Sequence, residues 1–128
     1  MKEAKQKILI VDDERNNITI LVEILKSNYK TIVAKNGEEA LKRVTTEQPP
    51  DLILLDVMMP KMDGYEVIRQ LRESDATKHI PVIFLTAKGQ KKDVLKGMEL
   101  GANDYLVKPY IFADLHGKIE KLIGEKKD

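Results

Sequence analysis

Charged side chains follow three short apolar runs of this sequence, at the points where buried strands would end. They are the carboxylates of Asp12, Asp13 and Asp56 and the ammonium group of Lys108. Because ligands of open α/β sheets bind at the carboxyl ends of the strands, we expect these groups to meet at one edge of a sheet. Crowded carboxylates repel one another, and a proton or a cation relieves that repulsion. A few oxygen donors with room for water suit Mg²⁺ better than Ca²⁺.

This set of groups favours phosphoryl-transfer chemistry. A carboxylate beside Mg²⁺ can act as a nucleophile and form an acyl phosphate. The transfer needs mainly in-line positioning and positive charge around the phosphoryl oxygens. Lys108 supplies a cation, and Thr86, at the end of a fourth apolar run, supplies a hydroxyl donor. A single Asp after a strand is more often a helix cap or a turn residue, but compatible groups at four strand ends favour a site.

Apolar runs alternate with helical periodicity along the chain, and these elements would position the site. Strands are predicted over residues 7–11, 31–34, 52–55, 81–85 and 104–107. Helices are predicted from Ile18 to about Ser27, from Gly37 until Pro49 and Pro50 stop it, after Gly64, over 91–100, and after Pro109. The alternation predicts an α/β fold, a single doubly wound, five-stranded parallel sheet with five helices. The flavodoxin-like strand order 2-1-3-4-5 is expected, in one domain over 1–128 with a core of about 7–122.

Composition limits the function classes. A hydrophobic content of 42% in 128 residues suits one compact domain. The 22 basic and 21 acidic residues leave a net charge of +1, so bulk charge predicts no direct binding to nucleic acid or to a membrane. No cysteine is present, and the charged N-terminus lacks the apolar segment of a signal peptide. We therefore expect a cytoplasmic protein.

Four motifs stand out along the chain, at residues 12–14 (DDE), 54–64 (LLDVMMPKMDG), 86–87 (TA) and 101–109 (GANDYLVKP). Together they resemble one known family, the receiver domains of two-component response regulators. The match runs from about Lys7 to Leu122. The resemblance implies that Asp56 accepts a phosphoryl group from a phosphohistidine of a sensor histidine kinase or phosphotransfer protein. Such a domain is not an enzyme toward other substrates and catalyses only its own phosphorylation and dephosphorylation.

The same resemblance implies roles for further residues. Mg²⁺, or Mn²⁺ as a substitute, would be held by Asp12, Asp13, Asp56 and the main-chain carbonyl of Met58. The phosphoryl group would be contacted by Thr86, Ala87 and Lys108. Thr86 and Tyr105 would form the switch, with the surface of the fourth helix, fifth strand and fifth helix as output. Pro109 is a candidate for a cis bond that turns Lys108 into the pocket, the alternative being a trans proline at a helix start.

The partners implied by the resemblance are the phosphodonor and either a downstream effector or a fused output domain. The domain itself would be a monomer or a phosphorylation-linked dimer. In the family that the chain resembles, residues at these two positions at the entrance influence how long the phosphoryl group survives, and the apolar Met58 and cationic Lys88 lead us to expect slow self-hydrolysis. We expect His79 and His116 at the surface, away from the site, and Gly64 at a tight turn or a close helix approach.

Other functions fit the residues less well or remain open. A phosphohydrolase of the haloacid dehalogenase type would need a second Asp where Met58 stands. A flavin or nucleotide carrier would need a Gly-rich or Ser/Thr-rich phosphate loop where Asp12, Asp13 and Glu14 stand. A degenerate receiver, acting as a binding module independent of phosphorylation, remains an alternative.

Overall fold

A computed structural model of the chain describes residues 5–45, 48–87, 91–109 and 111–124. Within them, five strands alternate with five helices. The strands are β1 (Lys7–Val11), β2 (Lys30–Ala34), β3 (Leu52–Asp56), β4 (Val82–Thr86) and β5 (Asp104–Val107). The helices are α1 (Arg15–Leu25), α2 (Gly37–Arg43), α3 (Gly64–Glu73), α4 (Lys91–Leu100) and α5 (Phe112–Ile123).

The strands form one parallel sheet in the order β2-β1-β3-β4-β5. The predicted fold class and strand order are therefore confirmed. All five residues of β3 and of β4 are buried, as expected for inner strands of a parallel sheet that is covered on both faces. The ladder pairs Val11 with Leu55 and Asp56 with Leu85, which brings the ends of neighbouring strands to the same edge.

Alternate residues of the strands point to opposite faces, and each face carries its own apolar cluster. Leu55 and Phe84 belong to the cluster covered by α2 and α3. Leu54 and Leu85 belong to the cluster covered by α1 and α5. The sheet is thus fixed on both faces, while its carboxyl edge remains available for polar side chains.

Several predicted boundaries were wrong by a few residues. Helix α1 ends at Leu25 rather than near Ser27, and β4 spans 82–86 rather than 81–85 because Thr86 pairs with Val107. Helix α2 begins where predicted, with the Asn36 side chain accepting a hydrogen bond from the main-chain N–H of Glu39. It ends at Arg43, so the prolines at 49–50 do not stop it. The elements were correct, and their ends depended on pairing and capping.

Gly64 marks a close approach between α3 and the end of β3, as predicted. A Cβ atom at this position would lie 2.5 Å from the main-chain oxygen of Asp56 and 2.9 Å from Cα of Val57. The main-chain N–H of Gly64 donates to the carbonyl oxygen of Val57 at 2.9 Å. The Asp63 side chain caps α3 by accepting from the N–H of Glu66. The loop after Asp56 is thereby held against the sheet edge.

Candidate functional site

Asp12 follows β1 directly and is completely buried. Its main-chain N–H donates to the carbonyl oxygen of Ala34, and its Oδ1 accepts a hydrogen bond from the N–H of Glu14 at 3.0 Å. Its other carboxylate oxygen, Oδ2, is buried and accepts no hydrogen bond, although Nζ of Lys108 lies 3.6 Å away. A buried carboxylate oxygen without a hydrogen-bond donor is costly, and the ion pair with Lys108 is long, so a closer cation would stabilise this atom.

Asp56 is the last residue of β3 and is only 5% exposed. Burial raises the pKa of its carboxyl group from 3.8 to about 6, and the nearby charge of Asp12 acts in the same direction. The Lys108 ammonium and the N–H of Met58 oppose this rise without cancelling it. The Asp56 carboxylate therefore has less compensating positive charge than its ionised form requires.

Asp13 completes an acidic cluster with Asp12 and Asp56. One carboxylate oxygen from each residue lies within 4.8 Å of the others. Asp12 and Asp56 are buried, whereas Asp13 is exposed, so the cluster is open to water on one side. Three carboxylate donors, one unpartnered buried oxygen and access for water fit Mg²⁺. The acidic cluster is a candidate metal site.

Lys108, which follows β5, lies between the two buried carboxylates. Its Nζ atom is 3.4 Å from Oδ1 of Asp56 and 3.6 Å from Oδ2 of Asp12. Its main-chain N–H donates to the carbonyl oxygen of Thr86 at 2.7 Å, and the peptide bond to Pro109 is cis. The 3.4 Å and 3.6 Å distances from Nζ to the two carboxylates are longer than those of close charge-assisted hydrogen bonds. The ammonium is therefore near enough to attract both carboxylates but bonds neither tightly.

The chain from residue 8 to residue 120 matches the model of one family, described as the response regulator receiver domain. This chain belongs to that family. The alkaline phosphatase synthesis transcriptional regulatory protein PhoP of Bacillus subtilis is 44% identical over 119 residues, which are 92% of this chain and 48% of PhoP. A probable cyclic di-GMP phosphodiesterase of Vibrio cholerae is 42% identical over 120 residues, which are 94% of this chain and 27% of that protein. The receiver thus spans half or less of these longer proteins.

A solved structure gives a comparison for the site itself. The receiver domain of the sensor histidine kinase PA1611 from Pseudomonas aeruginosa has a TM-score of 0.86 and 33% identity to this chain. The match covers 95% of this chain and all of that domain, which has a magnesium ion coordinated in its active site cleft. The predicted family is confirmed, and the acidic cluster of this receiver is compatible with the same kind of ion.

The remaining predicted site residues differ in their exposure to solvent. Thr86 ends β4 and is buried, and Ala87 after it is exposed. The Met58 side chain is 55% exposed. Tyr105, in β5, is 37% exposed, with Nζ of Lys118 lying 5.9 Å from its ring centroid. Lys88 lies outside the described residues.

The two histidines of this receiver differ from each other. His79 is exposed, as expected. His116 is partly buried, its ring centroid lies 4.5 Å from that of Phe112 and 6.2 Å from that of Tyr29, and its Nε2 atom is buried. The surface prediction was therefore wrong for His116, because α5 turns the ring toward Tyr29 and the apolar cluster behind it.

Sequence reasoning did not single out Tyr65, which links α3 to the first turn of α4. Its hydroxyl donates to the main-chain carbonyl oxygen of Asp93 at 3.2 Å, and its ring packs edge to face against Phe84. One available signal was Gly97, because a glycine inside a predicted helix often marks a close approach. The spacing of residues along the chain could not show which side chain lies beneath that helix.

Proposed function

We propose that this receiver accepts a phosphoryl group on Asp56 in a Mg²⁺-dependent reaction and signals through the surface of α4, β5 and α5. The observation that carries the proposal is the placement of the Asp56 carboxylate. It is buried, has a raised pKa and lies close both to the other carboxylates of the acidic cluster and to the ammonium of Lys108. An aspartate that only caps a helix or forms a turn does not require burial beside other carboxylates and an ammonium group.

Asp12, Asp13, Asp56 and the main-chain carbonyl of Met58 would hold the metal ion. When bound, Mg²⁺ offsets negative charge on the carboxylates and on the phosphoryl oxygens. A carboxylate oxygen of Asp56 attacks phosphorus, a phosphorus–oxygen bond forms, and the donor leaves with the electron pair of its own bond to phosphorus. Lys108 supplies positive charge to the transferred group, and Thr86 and the main chain of Ala87 supply hydrogen bonds.

The switch would follow from the added charge. A phosphoryl group on Asp56 attracts the hydroxyl of Thr86 at the end of β4 and the ammonium of Lys108, which follows β5. The main-chain hydrogen bond from Lys108 to Thr86 joins these two strand ends. Movement of Thr86 would be followed by Tyr105, whose register partner is Phe84 in β4, and would alter the output surface.

The phosphodonor would be a phosphohistidine of a sensor kinase or phosphotransfer protein, and the output a separate effector or a fused domain. The two longer relatives support the fused arrangement, because a transcriptional regulator and a probable phosphodiesterase both contain a matching segment. We further propose that the chain forms one receiver domain and catalyses only its own phosphorylation and dephosphorylation. Among the described residues, no helix has the length and apolar character needed to span a membrane.

Intact mass spectrometry after incubation with a small phosphodonor and Mg²⁺ tests this function. The wild type should gain one phosphoryl group that hydroxylamine removes, as expected for an acyl phosphate. Asp56→Asn should gain none. Asp75→Asn, which makes the same chemical change at a highly exposed carboxylate, should behave like the wild type. Absence of the gain in wild type, or its persistence in Asp56→Asn, would contradict the proposal and favour the binding-module alternative.

A further inference from the structure

One turn of α4 rests on an aromatic pair, defined by Tyr65 from α3 and Phe84 from β4. The two ring centroids are 5.6 Å apart, with an interplanar angle of 70°. A Cβ atom on Gly97 would lie 2.6 Å from Cε2 of Phe84, so the helix backbone sits directly on that ring. On the other ring, Nζ of Lys96 lies 4.4 Å from the centroid of Tyr65, a favourable cation–π distance. The aromatic pair thus fixes where α4 lies on the sheet.

The Tyr65 hydroxyl adds a directional bond to this contact. It donates to the main-chain carbonyl oxygen of Asp93 at 3.2 Å, one helical turn before Gly97. Burial raises the pKa of the Tyr65 hydroxyl, and the carboxylates of Asp93 and Asp63 act in the same direction, so it remains a donor at neutral pH. At the other end of α4, Arg72 donates to the carbonyl oxygen of Gly101 through Nε at 3.0 Å and Nη2 at 2.9 Å. Helix α3 therefore holds α4 at both ends.

The space between α4 and the buried Thr86 is too small for a further side chain. The cavity there has a volume of about 10 Å³. It is lined by Val57, Tyr65, Phe84, Thr86, Asp93, Val94, Met98 and Tyr105. A benzene-sized ring needs a cavity of about 150 Å³. Withdrawal of the Thr86 side chain would add only the space of a hydroxyl and a methyl group. Full entry of the Tyr105 ring therefore also requires α4 to move away from β4, and that movement strains or breaks the hydrogen bond from Tyr65 to Asp93.

We propose that Tyr65 is a positioning residue for the switch, and that its hydrogen bond to Asp93 holds α4 in the unphosphorylated arrangement. This inference rests on the proposed function, because it concerns the conformational change that phosphorylation drives. An interaction present in only one of two states shifts their equilibrium by its own free energy. Removing a neutral hydrogen bond of this kind should raise the ratio of switched to unswitched receiver about fivefold, which is ~1 kcal/mol.

Calorimetric titration with beryllium fluoride, a tetrahedral mimic of the phosphoryl group, tests this at saturating Mg²⁺. Because the switched state is the minor one before the mimic binds, Tyr65→Phe should bind beryllium fluoride about fivefold more tightly than wild type, since apparent affinity scales with the fraction of competent protein. Mg²⁺ affinity measured without beryllium fluoride should be unchanged. Tyr29→Phe is the matched control, because it removes a tyrosine hydroxyl from the cluster on the opposite face of the sheet. It should bind like the wild type.

The tightening separates a positioning role from a purely structural one. Damage to packing lowers thermal stability without improving binding of a phosphoryl mimic. Equal or weaker binding by Tyr65→Phe, or the same tightening in Tyr29→Phe, would overturn the proposal. A wild type that binds no beryllium fluoride would instead overturn the phosphoacceptor function itself, and this failure is visible without any variant.

Discussion

Replacing Asp56 by Asn should stabilise the metal-free protein at neutral pH. The Asp56 carboxyl has an ordinary pKa of 3.8 and a pKa of about 6 in the folded protein, raised first by burial and then by Asp12. The folded state therefore binds more protons than the unfolded chain between these two values. Stability falls as the pH rises through this window, and above pH 6 the whole destabilising effect is present. Asparagine carries no charge at any of these pH values, so the substitution removes this destabilising effect.

A rise of the Asp56 pKa from 3.8 to about 6 on folding corresponds to roughly 3 kcal/mol of destabilisation at pH 7.5. The gain in Asp56→Asn should be of the same size, about 3 kcal/mol, because the folded pKa of about 6 already includes the opposing attraction of Lys108. At pH 5 roughly half of the effect should remain, and near pH 4 it should nearly vanish. The pH dependence therefore separates charge burial from a change in packing, which would be independent of pH.

Urea unfolding in the presence of a chelator measures this difference at pH 7.5, 5 and 4. Asp75→Asn, at an exposed position, should change stability little at any of these pH values. Addition of Mg²⁺ should then stabilise the wild type more than Asp56→Asn and narrow the gap, because the variant has lost one charged ligand. The reasoning is refuted if metal-free Asp56→Asn is less stable than wild type at pH 7.5, or if its advantage is equal at pH 4.

Two further predictions concern Lys108 and Gly97. Lys108→Ala should lower the initial rate of phosphorylation by a small donor about 100-fold, as is usual when one charge-stabilising group is lost. Timed mass spectrometry measures this rate, with Lys78→Ala at an exposed ion pair as the control. A wild-type rate in Lys108→Ala would show that Lys108 takes no part in the reaction. Gly97→Ala should destabilise the fold by about 1–3 kcal/mol, because the new methyl group lies 2.6 Å from the Phe84 ring. Gly117→Ala, where a Cβ has no neighbour within 4 Å, should stabilise α5 by about 0.5–1 kcal/mol, and equal urea midpoints for the two variants would contradict the close packing of α4.

The sequence predicts the sheet well because short apolar runs identify its strands. The apolar residues of β3 and β4 are buried on both faces, and such runs have few alternative structures. The end of α2 was harder to predict. Its start depends on a local cap by Asn36, whereas it ends at Arg43, six residues before Pro49, the nearest strong helix breaker in the sequence.

The candidate site was predictable for a different reason. In a parallel sheet every strand delivers its last residues to the same edge. Strand order therefore places Asp12 and Asp56 at the ends of adjacent strands, and Lys108 at the same edge with β4 in between. The 3.4 Å approach of Lys108 to Asp56 and the unpartnered oxygen of Asp12 depend on side-chain positions that no spacing rule gives. Tyr65 was missed because its contact with Asp93 joins two helices far apart in the sequence.

The magnitudes decide whether the Tyr65 bond to Asp93 can hold α4 and still permit switching. That bond is neutral and contributes about 1 kcal/mol. A phosphoryl group on Asp56 would add hydrogen bonds with charged partners, each worth about 1.5–3 kcal/mol, from groups already joined by the Lys108–Thr86 main-chain bond. Even one such bond exceeds the contribution of Tyr65. A hydrogen bond of about 1 kcal/mol favours the unswitched state without preventing the conformational change. Reversing a 1:99 ratio of switched to unswitched receiver needs about 5.5 kcal/mol. Two such bonds, at Thr86 and Lys108, supply about 3–6 kcal/mol, which reaches about 5.5 kcal/mol only when little else opposes the switch. Loss of the roughly 1 kcal/mol from the Tyr65 hydroxyl should therefore measurably change the fraction of receiver that switches.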